Sequence, residues 1–190
     1  MNARKEFKWN VRIRKKYNII YTDPPWKYGT DVSKHYQTVP IEDIYRFPID
    51  KLAADNCALF LWVTFPILPE VLETVKRWGF RYVTVAFNWI KTNKRKGTPF
   101  VGMGNWTRAN AEICVLGLRG KLQRKSNKVS QIVLSHLREH SRKPDEIRDK
   151  IVQLMGDLPR IELFARQSMP GWDCWGNETK KFNGGKNGGQ

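Results

Sequence analysis

The sequence predicts an α/β fold: one domain on a mostly parallel central sheet with helices on both faces. Three observations predict it. Short apolar runs rich in β-branched and aromatic residues alternate with segments of helical spacing, the order that builds a covered sheet. The chain has 190 residues, enough to bury a core without disulfide or metal support. No repeat or composition break divides it.

The elements follow in order. Residues 1–16 are polar and basic and are expected as an arm. Tyr17 to Thr22 reads as a short buried strand that ends at Asp23. Lys27 to Pro40 is loop-like, with Tyr28, His35 and Tyr36 near the strand end. Ile41 to Tyr45 is expected as a short helix, since Pro40 suits a helix start. Cys57 to Val63 is a second buried strand, and Pro69 to Trp78 a helix stopped by Gly79. Arg81 to Ala86 and Asn88 to Lys91 are strand material. Thr92 to Arg108 is long, rich in Gly, Lys and Asn, and expected to be mobile. Ala111 to Leu118 is a strand, Lys121 to Ser130 a basic loop, and Ile132 to Leu134 a short strand. From Pro144 the apolar spacing is helical, two acids follow, and Gly156 stops the helix. Ile161 to Phe164 is the last expected strand. Residues 17–178 form the domain, and 179–190 are expected to be a disordered tail.

The segment Asp23-Pro24-Pro25-Trp26 carries the most chemistry. A residue before proline is pushed to an extended conformation, so Asp23 continues its strand and presents a carboxylate at the carboxyl edge. Two prolines remove two backbone donors. What remains is a carboxylate, carbonyls that only accept hydrogen bonds, and a flat aromatic wall. Such a site suits a planar group bearing an NH2. A proline-rich turn with Trp26 in the core is the plainer alternative. Ligands of such sheets bind at the carboxyl ends of strands, where Asp23, Arg166 and Lys143 all belong.

Composition narrows the partners. The formal net charge is +16, from 34 Lys+Arg against 18 Asp+Glu, in clusters at Arg12–Lys16, Lys91–Lys96, Arg119–Lys128 and Arg138–Lys143. Together with 12% aromatic residues, this favours a polyanion partner, a nucleic acid. The longest apolar run, Ala58 to Val63, is too short to span a membrane. Three scattered cysteines argue for reduced thiols in a cytosol-like compartment. His35, His136 and His140 lack ligand spacing, so no metal site is expected. Gly102-Met103-Gly104 is too short for a phosphate-binding fingerprint. Taken alone, Lys143 reads as a solvated residue before a helix, Glu112 as an edge charge and Trp62 as core.

The chain resembles the DPPW-type adenine amino-methyltransferases, which include the catalytic subunit of the eukaryotic messenger-RNA adenosine methyltransferase and small bacterial and phage members. The resemblance runs from Tyr17 to Glu178 through ordered blocks: Asp23 to Trp26, Leu59 to Thr64, Trp89 to Asn93, Glu112 to Gly120, Ser141 to Ile147 and Ile161 to Arg166. Trp172 and Trp175 to Glu178 close it. It implies a Rossmann-like methyltransferase fold and S-adenosyl-L-methionine as cofactor. By the same resemblance, Asp23, Pro24, Pro25 and Trp26 hold the target amine. Lys143 lies near the cofactor's carboxylate; Asp23, Arg166, Asn177 and Glu178 line the cofactor; and Tyr36, Trp89, Lys91 and Glu112 surround the substrate. Gln167 to Gly171 departs from the eukaryotic pattern, and no zinc-finger pattern is present. The expected activity is methylation of the N6 amine of adenine in DNA by a cytoplasmic enzyme of bacterial or phage type, with a homo- or heterodimer open. RNA as substrate, or a catalytically silent nucleic-acid-binding subunit, are the alternatives.

Overall fold

The structure, a computed structural model, describes residues 9–12, 15–27, 38–104, 106–139 and 141–182. Seven strands form one sheet: β1 (Tyr17–Thr22), β2 (Ala53–Val63), β3 (Arg81–Thr92), β4 (Ala111–Arg119), β5 (Ile132–His136), β6 (Arg160–Leu163) and β7 (Asp173–Trp175). Their order is β5-β3-β4-β2-β1-β6-β7. Only β4 runs antiparallel to its neighbours, β2 and β3; every other adjacent pair is parallel. The expected α/β fold and mostly parallel sheet are therefore observed.

Alternation along the strands sorts side chains into two cores. Ile20, Leu59, Leu61, Val115 and Ile161 face α1 (Ile41–Tyr45) and α2 (Leu68–Arg77). Ile19, Tyr21, Phe60, Trp62, Phe87 and Cys114 face α3 (Glu146–Met155). Each fully buried large side chain contributes about 2–3 kcal/mol of apolar transfer, so β1 and β2, buried on both faces, form the rigid centre.

Several elements differ from expectation for identifiable reasons. β2 starts earlier, because Ala53 pairs with Tyr17 ahead of a register shift. The two segments expected across 81–91 are one strand with two register shifts. β7 is three residues long and packs beside β6, too short for a periodic signal. Short 3-10 turns at Ile49–Lys51 and Phe65–Ile67 also escape it. Trp9 and Val11, within the stretch read as an arm, pack on the first core. Trp9 sits edge-on to Phe47 and Phe164, with ring centroids 5.0 and 5.6 Å away, and donates to the Asp43 carbonyl at 2.9 Å.

The loop between β3 and β4 starts with a hydrogen-bonded turn. Asn93 closes a turn: its N–H donates to the Thr98 carbonyl and its carbonyl accepts from Gly97, both at 2.9 Å. The Phe100 N–H then donates to the Lys91 carbonyl at 2.8 Å. Beyond it the backbone doubles back tightly. A Cβ on Gly102 or on Gly104 would lie 2.1 Å from the carbonyl oxygen of Ala109 or of Thr107. Only glycine permits that approach.

Candidate active site

Six strands point their carboxyl ends the same way, and a cleft of about 1230 Å³ opens there. Asp23 follows β1 at the middle of that edge. The two prolines shape the next turn through their carbonyls. Pro24 accepts the Trp26 N–H at 2.8 Å, and Pro25 accepts the Val39 N–H at 2.8 Å. A carbonyl has two lone pairs, so Pro24 keeps one for a ligand. Trp26 is only 4% exposed, and its indole N–H donates to the Trp62 carbonyl at 3.2 Å. It lines the cleft as a packed wall, which joins the core reading to the site reading.

Four charges form a continuous chain along the cleft floor. Lys143 Nζ lies 2.7 Å from Asp23 Oδ2 and 3.1 Å from Glu112 Oε2, and Lys91 Nζ lies 2.6 Å from Glu112 Oε1. The Lys143 ammonium also sits 5.6 Å from the Trp62 ring, and Lys91 sits 5.2 Å from the Trp89 ring. Burial pushes the Asp23 carboxyl up, and Lys143 pulls it only partly back. For Glu112 burial acts in the same sense, but Lys143 and Lys91 together outweigh it and hold the carboxyl below its ordinary value. Burial disfavours the Lys143 ammonium, yet Asp23 and Glu112 keep it firmly protonated. Lys143 therefore is not the solvated pre-helix residue of the plainer reading; its side chain is 9% exposed.

Lys143 is aimed by a frame the sequence did not reveal. Arg138 donates to the Lys143 carbonyl at 2.7 Å and to Asp145 at 2.5 Å. Asp145 also accepts from Gln167 at 2.6 Å and from Arg142 and Arg148 at 3.2 Å. Arg148 in turn binds Glu162 through two bonds of 2.7 and 2.8 Å, clamping α3 to β6. Two cleft residues, Ser141 (φ 59°) and Phe164 (φ 56°), hold left-handed backbone. Such conformations cost about 1–3 kcal/mol and cluster at functional sites.

On the far side of Asp23, Arg166 donates to Glu178 at 3.0 Å, and Asn177, Trp175 and Phe164 line the same cleft. The structure thus brings together Asp23, Pro24, Pro25, Trp26, Trp89, Lys91, Glu112, Lys143, Arg166, Asn177 and Glu178 in one cleft. Tyr36 lies outside the described residues. Sequence reasoning missed the supporting Arg138, Asp145 and Gln167, because their contacts are made only once the loop folds. Among the described residues no cluster of three or more His, Cys, Asp or Glu is placed to hold a metal, and no helix is long and apolar enough to cross a membrane.

Fold and cleft together define a class. A mostly parallel sheet with a cleft of charged and aromatic side chains at its carboxyl edge is the arrangement of an α/β methyltransferase-like fold. A family model described as MT-A70 matches residues 17–178. A Type II methyltransferase, M.MunI of Mycoplasma sp, is 33% identical over 190 residues, covering 87% of this chain and 78% of its own length. The N(6)-adenosine-methyltransferase catalytic subunit METTL3 of Homo sapiens is 31% identical over 173 residues, 89% of this chain and 29% of its own. An N(6)-adenosine-methyltransferase MT-A70-like protein of Arabidopsis thaliana is 28% identical, with 85% of this chain and 24% of its own length covered. The chain belongs to the MT-A70 family, and the expectation of an adenine-N6 methyltransferase holds at the level of that family. It spans most of M.MunI but less than a third of these two adenosine-methyltransferase relatives.

Proposed function

We propose that this chain transfers a methyl group from S-adenosyl-L-methionine to the N6 amine of adenine in DNA. The observation that carries the chemistry is Asp23: Lys143 holds its Oδ2, and Asp23 and Pro24 line the cleft together, offering a second carboxylate oxygen and a carbonyl as acceptors.

The cleft fits the cofactor and the base together. Its volume of about 1230 Å³ exceeds the roughly 300–1,000 Å³ of a pocket for one ligand. Arg166, Asn177 and Glu178 offer the cation, amide and carboxylate that a ribose and an adenine need, and Lys143 offers a cation for an amino-acid carboxylate. When bound, the cofactor supplies an electrophilic methyl on a sulfonium. Asp23 and the Pro24 carbonyl each accept one N–H of the target amine. That draws the nitrogen toward pyramidal geometry and frees a lone pair otherwise delocalised into the ring. The same two acceptors stabilise the positive charge that grows on nitrogen, in a wall preorganised by Trp26 and Trp62. Lys143 and Glu112 keep Asp23 from rotating away. Positioning of this kind supplies at best about 7–11 kcal/mol.

The DNA assignment rests on the basic surface and on the match to a Type II methyltransferase over most of its length. RNA is the competing substrate, because the relatives named for adenosine match over a similar share of this chain. The test is a side-by-side assay of DNA and RNA with labelled cofactor, read by nucleoside mass spectrometry. Methylated adenine is expected in DNA, and Asp23→Ala is expected to abolish it while cofactor binding by calorimetry survives. Transfer to RNA alone would refute the substrate, and full activity of Asp23→Ala would refute the mechanism.

A further inference from the structure

Trp106 is fully exposed, a rare position for a large indole with no packing contact. It belongs to the β3–β4 loop, which leaves the sheet at the cleft end. Met103 on the same loop is 88% exposed and lines the cleft rim. The Gly102–Ala109 and Gly104–Thr107 approaches fold this segment into a narrow finger that carries Trp106. The separate turn before it, closed by Asn93 and Thr98, carries Lys94, Arg95 and Lys96, and Arg108 follows Trp106 on the returning backbone, all exposed. An apolar blade on a loop that also carries cations is complementary to stacked bases beside phosphates.

We propose that the β3–β4 finger is a wedge that inserts Trp106 into the DNA duplex and stacks on the bases exposed when the target adenine leaves. The proposal rests on the DNA-adenine reading above. A base inside a duplex cannot reach Asp23 at the cleft floor, so unstacking precedes transfer. Trp106 replaces the stacking lost by the neighbours of that base, while Lys94, Arg95, Lys96 and Arg108 hold the phosphates on either side. The Gly-x-Gly segment, too short for a phosphate-binding fingerprint, acquires a purpose here: it lets the finger be thin enough to enter a groove.

The experiment compares the wild-type chain with Trp106→Ala and Trp106→Phe on fragmented genomic DNA, double-stranded and heat-denatured, with labelled cofactor. Trp106→Ala is expected to lose roughly tenfold to a hundredfold in kcat/KM on duplex DNA, the worth of one stacked base. On denatured DNA its loss is expected to be under threefold, and Trp106→Phe is expected to recover most of the duplex activity. Wild-type transfer to duplex DNA that Trp106→Ala leaves unchanged would overturn the wedge alone. So would equal losses on both forms, or a change in oligomeric state by sedimentation, which would assign Trp106 to a protein contact. Failure of the wild type to methylate either form would instead overturn the activity on which the wedge depends.

Discussion

At Lys143 two carboxylates share one ammonium, and each consequence of that arrangement is measurable. Burial raises the Asp23 carboxyl, and Lys143 opposes the rise. Only the ionised form accepts the amine, so single-turnover methylation is expected to fall as pH drops through a value above the ordinary carboxylate range. Lys143→Met removes the opposing charge and is expected to move this acid limb to higher pH. A limb that stays in place would show that Asp23 does not set it. Glu112→Gln leaves two buried ammonium groups with too few counter-charges. It is expected to cost about 3 kcal/mol, at the low end for a broken buried pair because the amide oxygen still accepts from one lysine; denaturant unfolding would measure it. These four residues are individually legible in sequence as strand-end, edge and pre-helix charges. Their linkage is not, because the reversal of β4 is what places Glu112 between Lys91 and Lys143.

Among the elements, the approach to α3 is held by the Asp145 side chain, which accepts from Arg138, Arg142, Arg148 and Gln167. The Asp145 carboxyl is held down at about 2: burial opposes this, but hydrogen bonds from Arg138 and Gln167 and the charges of Arg138 and Arg142 outweigh it. A value lower in the fold than in the unfolded chain stabilises above about pH 4 and is lost as pH falls toward 2. With its side chain 35% exposed, the discounted contribution is about 1 kcal/mol. Asp145→Asn is accordingly expected to flatten the stability–pH curve across that window while lowering stability at neutral pH. An unchanged curve would remove Asp145 from this role. Gly102→Ala is expected to displace the β3–β4 finger and reduce duplex methylation without lowering Tm by more than a few degrees, since the finger lies outside both cores. Helix and strand periods reveal most elements here. They are silent on this loop, whose shape comes from backbone hydrogen bonds between Asn93 and Thr98 and from the close approach of glycines to carbonyls, not from side-chain pattern.

For the molecule as a whole, net charge is less informative than where the charge lies. The loop after Lys91 leaves from the cleft end of the sheet. The basic loop after Gly120 begins where β4 ends, at the opposite pole, and reaches the end of α3 through Lys125, whose N–H donates to the Leu154 carbonyl at 2.7 Å. The two clusters, alike in sequence as basic stretches suited to a polyanion, are thus separated by the sheet; β1 alone, six residues, spans roughly 20 Å. Neutralising Lys94, Arg95 and Lys96 together is expected to reduce the slope of log affinity for DNA against log salt by roughly 0.9 per charge. Neutralising Lys121, Arg124 and Lys125 is expected to change it little, and equal changes would mean that DNA reaches both poles. The strand order carries a last implication. β1 stands between β2 and β6, so Asp23 marks a frontier between two territories of the chain. Residues 53–136 build the sheet on one side, and residues 160–175 build it on the other. On the proposed roles, the choice of nucleic acid and the grip on the methyl donor are written in separate stretches of sequence. A graft confined to residues 93–110 is then expected to change the grip on duplex DNA while the donor half is inherited intact.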